Sequence, residues 1–138
     1  MKTWHKYCYK NKDIRGFYYN MNKILVADDD KLIRWALKEI FSREGYDVDT
    51  VASSLEAIQQ AEKALYTLIF TDFEIDDENC VHTIRKVKSY LPEAKVIILS
   101  ALSRQKIESQ LEGLDIFAII EKPFQSDKIL SITKEAIG

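Results

Sequence analysis

Residues 24–30 read Ile24-Leu25-Val26-Ala27-Asp28-Asp29-Asp30, four apolar side chains running straight into three carboxylates. A short, unbroken apolar run is what a strand buried on both faces looks like, and parallel sheets are built from such strands. The same figure returns further on. Leu68–Thr71 ends at Asp72, Val96–Leu99 ends at Ser100, and Phe117–Glu121 ends at Lys122-Pro123. Tyr46–Val51 supplies one more strand. Between these runs the apolar residues fall at helical spacing, first as Ile33, Ala36, Leu37, Ile40 and Phe41, with Gly45 as the stop. Ser53 and Glu56 make a capping box for a second helix, and Asp77–Tyr90 reads as a third that ends before Pro92. Arg104–Glu112 reads as a fourth helix, and Ser126 as the cap of a last one through Ile137. Five strands alternating with five helices predict an α/β fold, a doubly wound parallel sheet covered on both faces.

Polar residues stand where each strand runs out, and that placement carries the chemistry. In open α/β sheets, ligands bind beyond the carboxyl ends of the strands. If the first and third strands are neighbours, Asp28, Asp29 and Asp72 converge there. Carboxylates about 4 Å apart repel by about 4 kcal/mol at an effective dielectric near 20, so a divalent cation or a bound proton must relieve them. Oxygen ligands with coordination positions left for water and phosphate suit Mg²⁺ or Mn²⁺. Ser100 and Lys122, at the adjacent strand ends, offer a hydroxyl donor and a positive charge to phosphate oxygens.

Composition narrows the function from the other side. The 138 residues make one domain, with 46% hydrophobic and 30% charged residues, which excludes a disordered or fibrous chain. Twenty basic against 22 acidic residues, a net charge of -2, argue against direct nucleic-acid binding. No apolar run approaches the roughly 20 residues of a membrane helix, and the first residues lack the apolar core of a signal peptide. Cys8 and Cys80 form no CxxC pair. The expectation is a reduced, cytoplasmic protein with no membrane partner. Residues 1–20 differ in kind: their net charge is +4, and they hold Trp4, Tyr7, Tyr9, Phe17, Tyr18 and Tyr19. They read as an aromatic, basic extension, with the domain proper at 21–138. Two readings of the extension stay open. Met21 sits where a start residue would, which makes 1–20 a translated leader. Alternatively its aromatics pack on the domain near Trp35, which falls opposite Ala36 and Ile40 on its helix.

The motifs ILVADDD, LIFTD, VIILSA and IIEKPF, in that order, resemble the strand-end motifs of response-regulator receiver domains of two-component signalling. The resemblance covers about residues 22–137. It implies a flavodoxin-like receiver fold with strand order 2-1-3-4-5. It further implies Asp72 as the phosphoacceptor, and Asp28, Asp29, Asp72 and the backbone carbonyl of Glu74 as ligands of Mg²⁺ or Mn²⁺. Ser100 takes the hydroxyl position and Lys122 the lysine position, followed by Pro123 in a bond the family often holds cis. The implied function is a Mg²⁺-dependent aspartyl-phosphate switch in a phosphorelay, acting through partner binding. The implied donor is a sensor histidine kinase or a histidine phosphotransfer protein; the output partner is unknown. The implied chemistry is self-catalysed phosphotransfer and autodephosphorylation, not an enzyme with a separate substrate. No output domain follows the last helix before Gly138, so the expectation is a stand-alone receiver or a part of a longer regulator.

Three positions depart from that pattern. Glu74 stands where Met or Asn is common, Ile119 occupies the usual switch aromatic, and the loop EIDDENC puts Asp76 and Cys80 where Pro and Gly are typical. These departures leave an alternative, a receiver fold used as a phosphorylation-independent interaction module. An enzymatic rival, a haloacid-dehalogenase-like phosphatase, could use Asp28-x-Asp30. It fails on order, because Asp72 precedes Ser100 and no acidic pair follows Lys122. Plainer readings apply to other residues: Asp30 as a first-turn helix residue, Glu74 pointing to solvent, His82 on a helix surface, and Cys80 as a bystander.

Overall fold

Period-two alternation sends Ile24 and Val26 to one face of a sheet and Leu25 and Ala27 to the other. A computed structural model describes residues 23–137 and, upstream, the two backbone pairs Asn11–Lys12 and Tyr18–Tyr19, which form an antiparallel ribbon. The packing of residues 1–20 by their aromatics near Trp35 lies outside the described residues. Five strands make the main sheet: β1 (Lys23–Ala27), β2 (Asp47–Val51), β3 (Leu68–Asp72), β4 (Lys95–Ser100) and β5 (Ala118–Glu121). All pairings are parallel, in the order β2-β1-β3-β4-β5. The helices are α1 (Lys31–Arg43), α2 (Ser54–Lys63), α3 (Val81–Tyr90), α4 (Arg104–Ile107) and α5 (Ser126–Ile137).

The sheet splits the core in two. On one face Ile24, Val26, Leu68, Phe70, Ile97 and Leu99 meet Leu37 and Phe41 of α1 and Ile129 of α5. The Phe41 ring lies 5.0 Å from that of Phe70. On the other face Leu25, Ala27, Ile69, Val96 and Ile98 meet Ala57 and Ala61 of α2, Ile84 and Val87 of α3, and Ile107 of α4. Short crossovers through helices force this arrangement, since parallel neighbours cannot be joined by a tight turn. Asp30 caps α1 by accepting the Leu32 N–H at 2.8 Å, and Ser53 caps α2 by accepting the Glu56 N–H at 3.2 Å. Gly45 follows α1 at φ 86°, a left-handed position that a side chain would strain. Trp35, 62% exposed, projects from α1 as its periodicity predicts, and Leu32 in the first turn is 68% exposed.

Several boundaries differ from the sequence expectation. The third helix begins at Val81, not Asp77, because residues 74–79 fold into a hairpin instead. Glu74–Ile75 pairs with Glu78–Asn79, and Asp76 and Asp77 make the turn at φ 57° and 61°. Short polar side chains tolerate that conformation and satisfy the backbone locally, which competes with helix. The Asp76 carboxylate accepts the Ser54 N–H at 2.9 Å, and Asn79 Oδ1 accepts the Val81 N–H at 3.1 Å. The fourth helix is α only over Arg104–Ile107 and tightens to 3₁₀ over Glu108–Leu111. Only Ile107 and Leu111 anchor it in the core. Ser126 is the first helical residue of α5 rather than its cap, with Lys128 and Ile129 donating to the Gln125 carbonyl. The second and fifth strands each start one residue later than expected, at Asp47 and Ala118.

Candidate functional site

Sheet register brings the predicted residues together. Ala27 stands opposite Thr71, so Asp28 and Asp72 leave adjacent strands at the same level. Ser100 stands opposite Glu121, which puts Lys122 one step beyond it. Backbone bonds extend the ladder past the strand ends: Asp28 N–H to Val51 carbonyl at 3.1 Å, and Lys122 N–H to Ser100 carbonyl at 2.7 Å. Carboxylate oxygens of Asp28, Asp29 and Asp72 all lie within 4.8 Å of one another. Lys122 Nζ bridges two of them, 3.0 Å from Asp28 Oδ2 and 3.2 Å from Asp72 Oδ1.

Each group is held by its own neighbours. Asp28 is fully buried, and its second oxygen accepts the Asp30 N–H at 2.9 Å. The Arg34 guanidinium donates to the Asp28 backbone carbonyl at 2.8 Å, locking the strand end from α1. Ser100 is buried as well; its Oγ accepts the Leu102 N–H and donates to the Leu102 carbonyl, both at 2.9 Å. A cleft of about 260 Å³ opens between Asp72, Ser100 and Lys122. Glu74 borders it two residues past Asp72, in the first arm of the hairpin, with its side chain exposed.

Electrostatics record the crowding. Burial lifts the Asp72 carboxyl from its ordinary 3.8 to about 6, the Asp28 charge adds to that, Lys122 opposes it, and Asp29 adds a little more. Burial pulls the Lys122 ammonium down, but its hydrogen bond to Asp28 and the charges of Asp28 and Asp72 outweigh this and hold it above its usual range. Negative charge therefore exceeds what one lysine neutralises, and the cluster suits a small divalent cation. Cys80, fully buried, has its thiol pushed up to about 12, chiefly by burial.

Asp28, Asp29, Asp72, Ser100 and Lys122 thus share one edge of the sheet, while Ile119 sits lower in β5, half-buried against the core. Asp30 serves α1 as its cap and takes no place among the clustered carboxylates. His82 is exposed on α3. Three contributions were not anticipated from sequence: the Arg34 brace, the acidic hairpin, and the bond that the Arg104 N–H donates to Glu121 Oε1 at 3.1 Å. Adjacent Asp76 and Asp77 are a turn signal that could have placed the hairpin. The other two have no sequence signature.

A five-stranded parallel sheet in this order, with an acidic cluster, a serine and a lysine at its carboxyl edge, defines the receiver class of signalling domains. The sequence profile of the response regulator receiver domain matches residues 24–134, and the chain belongs to that family. It is a receiver domain of two-component response regulators. It is similar to the sporulation initiation phosphotransferase F of Bacillus subtilis, 28% identical over 113 residues, covering 82% of this chain and 91% of that one. It is similar also to the DNA-binding transcriptional regulator NtrC of Azospirillum brasilense, 29% identical over 115 residues, covering 83% of this chain. The chain spans about a quarter of that regulator's length (24%). Among solved structures it resembles the response regulator protein TrrA of Thermotoga maritima in its complex with Mg²⁺ and BeF. There the identity is 29% and the TM-score 0.74, over 84% of this chain and 99% of that one. Among the described residues, no helix is long and apolar enough to cross a membrane.

Proposed function

We propose that Asp72 accepts a phosphoryl group from a phosphohistidine on a sensor kinase or histidine phosphotransfer protein, and that the resulting aspartyl phosphate is a signalling state. The observation that carries this is the Asp72 carboxylate, facing an open cleft and paired with Lys122 while crowded by Asp28 and Asp29. In the transfer, an Asp72 oxygen bonds to phosphorus as the phosphorus–nitrogen bond breaks, and the imidazole leaves with its electron pair and takes up a proton. Lys122 moves its hydrogen bond from carboxylate to phosphoryl oxygens and neutralises charge there. Asp28, Asp29, Asp72 and the Glu74 carbonyl would hold Mg²⁺ or Mn²⁺, which supplies a Lewis acid for the phosphoryl oxygens when bound. The buried Ser100 hydroxyl lines the cleft, and a new anion there could draw it away from Leu102. Water then cleaves the acyl phosphate and returns the carboxylate. The protein acts on itself and turns over no separate substrate.

Intact-mass measurement after acetyl phosphate with Mg²⁺ tests the proposal. One added phosphoryl group per molecule is expected in the unmodified protein and none in Asp72→Asn. Labelling that survives Asp72→Asn refutes the acceptor assignment. A protein that takes up no phosphoryl group and ignores beryllofluoride is instead a receiver fold used only as an interaction module.

A further inference from the structure

Ile119 is branched at Cβ and carries no ring, so β5 cannot report the state of Ser100 by swinging an aromatic side chain. The geometry points to another link. We propose that the Glu121 carboxylate is a clasp that holds residues 101–104 in their resting position, making Glu121 the positioning residue that biases the switch. This rests on the aspartyl-phosphate reading above.

The segment is tethered at both ends. At its start, the Ser100 hydroxyl is closed on the Leu102 backbone by two bonds of 2.9 Å. At its end, the Arg104 N–H donates to Glu121 Oε1 at 3.1 Å, across 17 residues of sequence. The second tether is unusual in its source. Ser103 occupies the N-cap position of α4 in extended backbone and carries a hydroxyl suited to capping, yet makes no side-chain cap bond. A carboxylate from β5 instead satisfies the first N–H of the helix, one that a Ser103 cap would not reach. The strand that presents it is fixed, since Ser100 pairs with Glu121 and the Lys122 N–H donates to the Ser100 carbonyl at 2.7 Å.

Drawing the Ser100 hydroxyl toward a phosphoryl group breaks its bonds to Leu102 and pulls on the chain as far as Arg104. The α4 segment is short and anchored in the core only through Ile107 and Leu111, so it is free to shift once released at its first turn. A groove of about 540 Å³, with Arg104, Ile119, Glu121 and Phe124 in its wall, gives it room. The clasp therefore adds to the free energy of leaving the resting state, and removing it lowers the ligand binding needed to reach the other one.

The test compares unmodified protein, Glu121→Ala and Glu121→Gln, each with beryllofluoride and Mg²⁺, and measures amide exchange at Arg104 without them. Glu121 is exposed and outside both core clusters, so melting temperatures report that all three fold. Glu121→Ala is expected to bind beryllofluoride about three- to tenfold tighter and to exchange the Arg104 amide faster by a similar factor. Glu121→Gln keeps a carbonyl acceptor and stays within about twofold of the unmodified protein in both. If Glu121→Gln matches Glu121→Ala, loss of one charge near an anion explains the gain and the clasp is refuted. Tighter binding without faster Arg104 exchange, or no change at all, also refutes it. If none of the three proteins binds beryllofluoride, the aspartyl-phosphate reading itself fails and takes the clasp with it.

Discussion

Replacing Asp72 with Asn should make the metal-free protein more stable, although it removes a group that is ion-paired. Asp72 Oδ1 lies 3.2 Å from Lys122 Nζ, and simple counting of salt bridges predicts a loss. The balance runs the other way, because burial together with Asp28 and Asp29 lifts the carboxyl to about 6 from 3.8 despite Lys122. That rise corresponds to at most about 3 kcal/mol against the ionised form. The side chain still shows 14% of its surface to water, which screens part of it and leaves about 1–3 kcal/mol. For a domain of this size that is roughly 4–10 °C in melting temperature. The sign fixes the pH window. An acid whose folded pKa is raised stabilises the fold below its unfolded value and loses that contribution as pH rises through the folded one. The Asn variant should therefore lead by most above about pH 6.5, by about half as much at pH 5, and by little near pH 4. Thermal melts in EDTA across that range, read as the difference between the two proteins, make the measurement. A variant that melts lower at pH 7.5, or a lead that does not shrink with acid, refutes the reasoning.

Asp29→Ala should also melt higher than the unmodified protein in EDTA, by about 1 kcal/mol, and millimolar Mg²⁺ should stabilise the unmodified protein but not the variant; calorimetry with and without Mg²⁺ decides it. Glu74→Asn should alter the lifetime of the aspartyl phosphate several-fold, since its carboxylate borders the cleft where water attacks; equal decay of the two labelled proteins shows that Glu74 takes no part. Asp77→Gly should stabilise by about 0.5–1 kcal/mol, because the second turn residue sits at φ 61° and glycine is favoured in such hairpins. Urea unfolding that shows a loss instead would mean the Asp77 side chain holds the hairpin.

The sheet was legible because its inner strands, β1, β3 and β4, are buried on both faces, which leaves the apolar runs typical of a parallel sheet. The site was legible for a related reason. Asp28, Asp72, Ser100 and Lys122 each directly follow or close such a run, so finding the strand ends found the residues. What stayed hidden depends on contacts that no local pattern encodes. Arg34 looks like any exposed helix charge until its guanidinium is seen on the Asp28 carbonyl. Residues 77–80 are the exception: they look helical because they lead into a helix, but the Asp76-Asp77 pair carries a local turn signal, and Asp76 reaching Ser54 and Asn79 reaching Val81 fasten the hairpin. Arg104–Glu112 has the apolar spacing of a helix but too few anchors to hold one turn form throughout.

Lys122 and Asp28 stand 94 residues apart in the chain, and they meet only through β5, the strand at the sheet's edge. Contacts of such separation close the longest loops and come late in folding. A chain still on the ribosome with residue 122 inside has the acidic strand ends but no cation between them, and Ser100 lacks its partner strand. On the aspartyl-phosphate reading proposed above, competence to receive a phosphoryl group therefore waits on β5 joining the sheet, and an unfinished copy of the chain carries the carboxylates without the lysine.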